Sequence, residues 1–332
     1  DPGTYDEGEL VVNVKGVTIR STDTAQRTKI NGCFKINAQK VIVRGLDINA
    51  DPDLDANDAA TCPHGITVSE RDVELHDNIV HEAPQNGIQV NSFSDGLILS
   101  NNDIFNNTAG GINVLDDSDS IQITQNRVRS NGGSGIIFEG YSDRFNIQGN
   151  EIELNESEGV LILNANSGQI ANNTITANNI DGIKLDKSNQ NRILDNTITA
   201  NGGFGVSLVG SDNNGVNNNT LTSNRGGGVK LSGNGKSSQR NTIEDNTISG
   251  NSAGGAGVLL AGDVTGSIIT DNAIEGNSIG LRLMKNIDSP GPGEPSNNTI
   301  DNNSIQNSDD YGILIEASLG LNSFLSNTVQ NN

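Results

Sequence analysis

The amino-acid sequence predicts an all-β fold, a single-domain right-handed parallel β-helix of about 12 to 13 coils over residues 1–332. Three observations support it: a repeated glycine phrase, a repeated asparagine phrase in phase with it, and apolar residues that alternate within each repeat. Residues 1–64 are predicted to form irregular N-terminal coils with an acidic insertion at 51–63, and residues 65–332 regular coils.

The glycine phrase is a Gly followed by an aliphatic residue, any residue and a second aliphatic residue. It returns mostly every 22 to 24 residues. Its glycines are Gly65, Gly87, Gly111, Gly135, Gly159, Gly182, Gly205, Gly228, Gly257, Gly280 and Gly312. A fixed period of this length is typical of solenoids, in which each repeat is one structural unit.

The asparagine phrase, Asn-x-(Ile/Val/Leu), keeps its own column. Its members are Asn78, Asn102, Asn126, Asn150, Asn173, Asn196, Asn219, Asn246, Asn272, Asn303 and Asn327. The distance to the next glycine of the first column is nine residues in eight of ten cases. Identical side chains in successive coils lie above one another, so these asparagines are expected to hydrogen-bond to their copies and to turn backbone.

Within each repeat the apolar residues alternate, as in "GIKL", "RIL" and "NTIT". A period of two is the signature of a strand with one buried face. Three such strands are separated by Asn, Gly, Asp and Ser, which tolerate tight turns. Such a unit buries its inward side chains only by stacking on identical units, which predicts coils about 4.8 Å apart.

Composition limits the classes of partner. The net charge is −21, with 41 acidic against 20 basic residues, which excludes general affinity for nucleic acid or anionic membranes. No run of eighteen apolar residues is present, so the sequence predicts no membrane insertion. We expect an extracellular or cell-surface monomer.

The two cysteines, Cys33 and Cys62, both lie in the first quarter of the chain. Alignment of the coils places Cys33 one coil below Gly65. A disulfide requires the intervening loop to bring the two Cα atoms within about 7 Å. The sequence leaves both the paired and the free state open.

The insertion "DPDLDANDAATCP" at 51–63 carries alternating acids. Asp51, Asp53, Asp55 and Asp58 resemble the start of a calcium-binding loop, although the turn glycine and final glutamate of an EF-hand are missing. We predict that residues 51–60 protrude beside the Gly-led strand. A solvated loop is the first interpretation, and calcium binding is the alternative.

The expected register places a polar column on the outward face of the Gly-led strands. It runs Lys35, Thr67, Gln89, Asn113, and His64 stands at the turn that enters the same set of strands. Lys35 and Gln89 are then about 10 Å apart, a span that holds a sugar ring.

A second outward column contains Arg20, Arg44 and His76 on another strand, and His81 lies on a third strand in a column with Phe105 and Arg129. The three histidines therefore do not converge, which argues against a three-histidine metal site.

The phrases "PGTYDEGELVV" and "GVTIRS", together with the repeats, resemble the pectin-lyase-like right-handed β-helix superfamily over nearly the whole chain. That superfamily contains polysaccharide lyases, hydrolases, uronate epimerases, esterases, tailspikes and adhesins. The resemblance therefore implies a polysaccharide partner, with a site on a groove formed by one sheet and its turns.

The phrase "TCPHG" at 61–65 resembles the Asp-Pro-His-Glu motif of alginate C5-epimerases, with His64 at the motif's histidine. The sequence departs from that family at Cys62 and Asn91, which stand where carboxylates are expected. Because the ordinary pKa of histidine lies near neutrality, His64 is the candidate general base, and a structural residue of the turn is the alternative.

Proton abstraction from C5 of a uronate needs a neutralised carboxylate as well as a base. We rank Lys35 above Arg44 as the neutralising group, with Gln89 in the same catalytic set. Thr67, Asn91, Asn113 and His76 are the predicted substrate-binding residues.

Two other classes of function stay open. The first is a non-catalytic surface solenoid, an adhesin or spacer, which the scarcity of aromatic residues and the regular coils without candidate chemistry favour. The second is ice binding by outward threonines at Thr174-x-Thr176, Thr197-x-Thr199, Thr220-x-Thr222 and Thr247-x-Ser249, an array that covers only four coils.

Overall fold

The computed structural model describes residues 2–23, 26–51, 62–233, 235–251, 255–285, 293–317 and 320–332. The described residues form strands and turns, with no helix among them. None of them therefore belongs to a helix that could cross a membrane. The chain divides into two compact units, residues 1–157 and 158–332. The prediction of one domain over 1–332 stays a prediction.

The first unit contains seventeen strands in the described residues. In chain order they are β1 Thr4–Val12, β2 Thr18–Arg20, β3 Thr28–Ile36, β4 Ile42–Arg44, β5 Leu46–Asn49, β6 Ile66–Val68, β7 Glu74–His76, β8 Ile79–His81, β9 Ile88–Val90, β10 Ile98–Ser100, β11 Asp103–Phe105, β12 Ile112–Val114, β13 Gln122–Thr124, β14 Arg127–Arg129, β15 Ile136–Phe138, β16 Asn146–Gln148 and β17 Glu151–Glu153.

The second unit contains the remaining strands of the described chain. They are β18 Val160–Leu163, β19 Gln169–Ala171, β20 Thr174–Thr176, β21 Ile183–Asp186, β22 Arg192–Leu194, β23 Thr197–Thr199, β24 Phe204–Val209, β25 Gly215–Asn217, β26 Thr220–Thr222, β27 Gly227–Ser232, β28 Ser238–Gln239, β29 Thr242–Glu244, β30 Thr247–Ser249, β31 Ala256–Ala261, β32 Val264–Thr265, β33 Ile268–Thr270, β34 Ala273–Glu275, β35 Ile279–Met284, β36 Thr299–Asp301, β37 Ser304–Gln306, β38 Tyr311–Glu316, β39 Ser323–Leu325 and β40 Thr328–Gln330.

Each unit arranges its strands in parallel stacks. In the first unit, β2, β4, β7, β10, β13 and β16 form what we call the first sheet. In the second unit, β19, β22, β25, β29, β33, β36 and β39 occupy the same position in the coil. Six first-sheet strands in one unit and seven in the other mark thirteen turns, which confirms the predicted number.

Two further stacks complete each coil. The Asn-led stack begins after the asparagine column, as in β20, β23, β26 and β30. The Gly-led stack follows the glycine column, as in β21, β24, β27, β31 and β35. The predicted all-β fold with parallel strands is confirmed.

The glycine column has a steric cause. A Cβ built on Gly182 would lie 2.4 Å from Cγ2 of Ile198 and 2.7 Å from the carbonyl oxygen of Gly205. The interior aliphatic side chain of the neighbouring strand therefore occupies the place that any larger residue would need. Since protein interiors are close-packed, every coil repeats the requirement.

The asparagine column forms the predicted ladder. Asn196 donates from Nδ2 to the Oδ1 of Asn219 at 3.0 Å and to the carbonyl of Ile170 at 2.9 Å. Its backbone N–H donates to the same Asn219 oxygen at 3.0 Å. Asp195, directly before it, adopts a left-handed φ of 57°. The ladder thus satisfies buried turn backbone that would otherwise lack partners.

Cys33 and Cys62 form a disulfide, with their Cα atoms 5.6 Å apart. The bridge joins β3 to the segment that leads into the turn at His64. Of the two states that the sequence left open, the structure shows the paired one.

Candidate functional site

The predicted polar column of the Gly-led stack has the expected register in the first unit. Lys35 pairs with Thr67, Thr67 with Gln89, and Gln89 with Asn113. The amine of Lys35 lies 3.8 Å from the carboxylate of Glu9. The alignment predicted from the sequence is therefore confirmed. Lys35, at one end of the column, has Glu9 as an anionic neighbour.

The middle of this column is buried. Gln89 is 5% exposed and Asn113 is 8% exposed. The Oε1 of Gln89 accepts the amide of Asn86 at 2.8 Å and that of Asn113 at 3.5 Å. These amides therefore bond to one another, and little of their surface is available to a ligand.

His64 lies at the predicted turn and is partly buried. Its Nδ1 accepts the backbone N–H of Asn86 at 3.2 Å. Burial lowers the pKa of the His64 imidazole, because desolvation disfavours the charged form. The neutral ring then carries its proton on Nε2, since Nδ1 is engaged as an acceptor. Its role as general base stays a prediction.

Arg44 and His76 lie on the first sheet, in the predicted column with Arg20. His76 hydrogen-bonds through Nε2 to Glu74 at 2.8 Å and through Nδ1 to the hydroxyl of Ser100 at 2.5 Å. This column is on a different sheet from Lys35 and His64. The structure does not bring the two predicted sets together.

His81 lies on the Asn-led stack. Its ring is stacked on Phe105 with the centroids 5.0 Å apart, and its Nε2 lies 3.0 Å from the carboxylate of Asp47. The guanidinium of Arg129 covers the same phenyl ring at 4.1 Å. The three histidines thus lie on three different elements: His64 in a turn, His76 on the first sheet and His81 on the Asn-led stack. Within the described ranges, no group of three or more His, Cys, Asp or Glu side chains is placed to hold a metal ion.

Of the predicted calcium ligands, Asp53, Asp55 and Asp58 lie outside the described residues, and only Asp51 is described. Calcium binding by this loop therefore stays a prediction. The remaining predicted binding residue, Asn91, donates from Nδ2 to the hydroxyl of Ser69 at 3.0 Å.

The second unit contains an open groove of about 410 Å³ on the outer face of its Gly-led stack. Five strands, β21, β24, β27, β31 and β35, supply lining residues together with the turn before β21. Both charged and apolar side chains face the groove, an arrangement common in ligand sites.

Strand alternation explains which side chains reach the groove. On β21, Ile183 and Leu185 point into the core, whereas Lys184 and Asp186 point outward. Because neighbouring strands keep the same register, Lys184 stacks with Ser207, and Ser207 with Lys230. Lys184 and Lys230 are thus two coils apart, about 10 Å.

Asp181 lies in the turn just before β21. Its carboxylate accepts the backbone N–H of Phe204 at 2.6 Å. Burial raises the pKa of the Asp181 carboxyl, and the nearby Glu158 carboxylate adds to the effect. The Phe204 hydrogen bond and the amines of Lys184 and Lys230 oppose it. Carboxyls with raised pKa values are found among the proton-transferring groups of active sites.

The two lysines differ in their partners. Lys184 lies 3.5 Å from the carboxylate of Glu158, whose side chain is only 7% exposed. Lys230 lies over the ring of Phe204, with its amine 5.7 Å from the centroid, and makes no ion pair within the described part of the chain. Lys230 is therefore the cation most available to an anionic ligand.

Sequence reasoning missed this groove because it looked for function only where the repetition fails. The regular coils, which the sequence analysis described as lacking candidate chemistry, carry charged side chains that line this groove. A signal was present: His64, Glu158 and Asp181 each directly precede a glycine of the repeated column. Lysines at 184 and 230 stand on the outward position of the same strands.

Comparison with protein families gives a match to the family described as right handed beta helix region, at residues 6–128 and 114–238. A second family, described as periplasmic copper-binding protein (NosD), matches residues 203–332. Among curated proteins, none matches this chain.

Several solved structures share the fold. The mannuronan C-5 epimerase AlgE6 A-module of Azotobacter vinelandii is 15% identical, with a TM-score of 0.63 over 100% of this chain and 89% of that chain. The catalytic domain of a GH87 alpha-1,3-glucanase in complex with tetrasaccharides is 14% identical, with a TM-score of 0.62 over 98% of this chain and 62% of that chain. The periplasmic alginate epimerase AlgG is 13% identical, with a TM-score of 0.56 over 98% and 74%. At these identities the likeness shows the fold alone.

Proposed function

Because the chain belongs to the family of right handed beta helix regions, a fold that it shares with carbohydrate-active enzymes, we propose that it acts on a uronate-containing polysaccharide in the groove of the second unit. One observation carries the proposal. Two lysine amines and a carboxyl with a raised pKa meet at the same open groove.

The lysines supply the first chemical requirement. Removing the C5 proton of a uronate places negative charge on its carboxylate, so that charge must be neutralised. Lys230, which makes no ion pair within the described residues, is the primary neutralising group. Lys184 carries three N–H donors, so it can bind a sugar carboxylate while keeping its contact with Glu158.

Asp181 supplies the second requirement. In its ionised form it takes the proton from C5, and its raised pKa makes it a stronger base than an ordinary aspartate. The electron pair of the C–H bond forms the C4–C5 double bond as the C4–O bond breaks. The same carboxyl then returns the proton to the leaving oxygen.

This arrangement favours elimination over epimerisation. A lyase can use one carboxyl as base and acid on one face of the ring, whereas an epimerase needs a proton donor on the opposite face. Glu158, Lys184 and Lys230 act on the charge of Asp181, and Asp186 also lines the groove. We therefore rank a polysaccharide lyase first and a C5-epimerase second.

The test is a screen against alginate, pectate and unsulfated glycosaminoglycans. Ultraviolet absorbance reports the unsaturated product of elimination, and proton NMR in deuterated water reports exchange at C5. We expect Asp181→Asn to lower turnover by about 10² or more, the scale for loss of a positioned base. Lys230→Ala should also lower it, whereas Lys236→Ala, which removes a lysine paired with Asp212, should not.

Two outcomes contradict the proposal. One is that none of these polymers is bound or converted. The other is that Asp181→Asn converts its substrate at the wild-type rate.

A non-catalytic surface solenoid is the second candidate, and the burial of Gln89 and Asn113 in the first unit favours it. Saturable binding of a polymer without unsaturated product or C5 exchange would indicate that role. The threonine array has the register that ice binding needs over four coils, from Thr174 to Thr247, but continues into Ala273. It stays a remote alternative.

The Cys33–Cys62 disulfide indicates a compartment outside the reducing cytoplasm. The match of residues 203–332 to a family named as periplasmic supports the same location. A polysaccharide substrate is expected to be met there.

A further inference from the structure

The outward column of the second unit's Gly-led stack alternates between charged and uncharged side chains. Its register is fixed by parallel pairing of β21, β24, β27, β31 and β35. In order, the column reads Lys184, Ser207, Lys230, Leu259 and Arg282. A cation therefore stands on every second coil, with an uncharged residue between.

The spacing suits a polymer lying along this column. Successive coils are about 4.8 Å apart, so the cations repeat at about 10 Å. One sugar of an extended chain advances by a distance comparable to one coil. Successive cations would then face alternate sugars of the chain.

The uncharged coil of Leu259 differs from the charged coils in its surroundings. Leu259 lies between Lys230 and Arg282, with Ala261 and Met284 lining the groove beside it. A carboxylate placed there would lose water without gaining a hydrogen-bonding partner, which is costly. A neutral sugar can instead lay its C–H groups on these side chains.

We infer that the groove selects an acidic polysaccharide that carries one carboxylate per disaccharide, rather than a homopolymer of uronates. This inference rests on the proposed function and deepens it by naming the substrate class. The alternation of cationic and uncharged side chains along one register is the observation that carries it.

The two outer cations of the column already form ion pairs, so Lys230 between them is the cation that contributes most to binding a carboxylate. Lys184 pairs with Glu158, and Arg282 donates from Nε to Glu316 at 2.7 Å. Lys230 has no such partner within the described residues. Exposed ion pairs are weak, so a sugar carboxylate can still compete for Arg282.

Calorimetric titration of the full chain with two oligosaccharides of equal length tests the inference. One alternates glucuronate with an N-acetylhexosamine, and the other is an oligogalacturonate. Asp181→Asn protein is used to prevent turnover. We expect the alternating oligosaccharide to bind more tightly, although it carries half the charge.

Substitution of Leu259, an uncharged position of the column, is the second part of the test. Leu259→Lys should tighten binding of the oligogalacturonate by roughly two- to fivefold, the range for an added exposed ion pair, and should change binding of the alternating oligosaccharide less. Thr220→Lys is the matched control, since it adds the same charge to an exposed position of the Asn-led stack in the same unit, outside the residues that line the groove. It should shift the preference less than Leu259→Lys does.

The outcomes separate the two proposals. Equal binding of both oligosaccharides, tighter binding of the oligogalacturonate, or the same effect from Leu259→Lys and Thr220→Lys overturns the inference alone. Failure of wild type and variants to bind any acidic oligosaccharide overturns the proposed function, and the inference with it.

Discussion

The carboxylate of Asp181 accepts a hydrogen bond from the backbone N–H of Phe204, one coil further along the second unit, at 2.6 Å. Gly203, the residue before Phe204, allows this approach, because a Cβ there would lie 2.2 Å from the same carboxylate oxygen. The glycine pair at 202–203 thus holds a partly buried carboxyl in one position beside Lys184. The same contact that positions the carboxyl opposes the rise in its pKa, which burial causes.

Asp181→Asn is expected to remove activity without a matching loss of stability at neutral pH. Burial raises the pKa of Asp181, so the folded protein binds more protons than the unfolded chain as pH rises from the ordinary value of 3.8 to the raised one. Wild-type stability should therefore fall across that window. Asparagine keeps the oxygen that accepts the Phe204 N–H and does not titrate.

Denaturant unfolding from pH 3 to pH 8 measures this effect. The variant should gain stability relative to wild type as pH rises above about 4, the ordinary aspartate value. A constant difference between the two proteins over the whole range would show that Asp181 is not perturbed as described.

Lys184→Met is expected to destabilise the second unit by about 1–3 kcal/mol, because the buried Glu158 carboxylate loses a charged partner. Methionine keeps most of the aliphatic length, so the change tests the charge rather than the packing. Lys236→Met, at a more exposed pair with Asp212, should stay within about 0.5 kcal/mol of wild type. Chemical denaturation measures both, and equal effects would contradict the difference in burial.

Asn196→Ala is expected to cost about 2–4 kcal/mol, since it removes the acceptor of the Asn173 N–H and the donor to Ile170. Thr197→Ala is the matched control, because Thr197 is the next residue but is exposed. It should cost less than about 1 kcal/mol. If Asn196→Ala lowers the free energy of unfolding no more than Thr197→Ala does, the asparagine ladder does not stabilise the stacked coils.

His64→Ala separates the two candidate sites. If His64 is the general base, turnover should fall by about 10². Because its Nδ1 is engaged by Asn86 and the groove lies in the other unit, we expect turnover within a fewfold of wild type, as for His81→Ala. Loss of activity in His64→Ala alone would move the active site to the first unit.

The same variant has a pH signature. Burial lowers the pKa of His64 below its ordinary 6.5, so the unfolded chain binds more protons between the two values. Wild type should thus lose stability relative to His64→Ala as pH falls below 6.5. Parallel thermal curves at pH 5 and pH 7.5 would contradict the burial of this ring.

Replacing both Cys33 and Cys62 by serine should destabilise the first unit by about 3–4 kcal/mol, from the entropy that a loop of this size regains in the unfolded chain. The two cysteines are 29 residues apart in sequence. Thermal unfolding with and without a reducing agent measures the effect. Insensitivity of wild type to reductant, together with wild-type stability of the variant, would dismiss the bridge as a structural element.

The sequence alone determined the coil, its period and its register. The spacing of Gly182 and Asn196 repeats because each coil must leave room for an interior side chain and satisfy its own turn backbone. These steric and hydrogen-bonding requirements are local and recur along the repeats, so they appear in the sequence as residues repeated at a fixed spacing. The alignment of Thr67 with Gln89 followed from the same period, whereas that of Lys35 with Thr67 followed from an offset of 32 residues across the insertion.

The tertiary structure alone decided which polar residues are accessible and charged. Gln89 is on an outward position but is buried among amides, whereas Asp181 lies in a regular turn near Lys184 of its own coil and Lys230 of another coil. Solvation and proton affinity depend on every neighbour in space, including turns from adjacent coils, and those neighbours are not ordered by the repeat. The disulfide was undecided for the same reason, since only the folded path of the intervening chain brings Cys33 to Cys62.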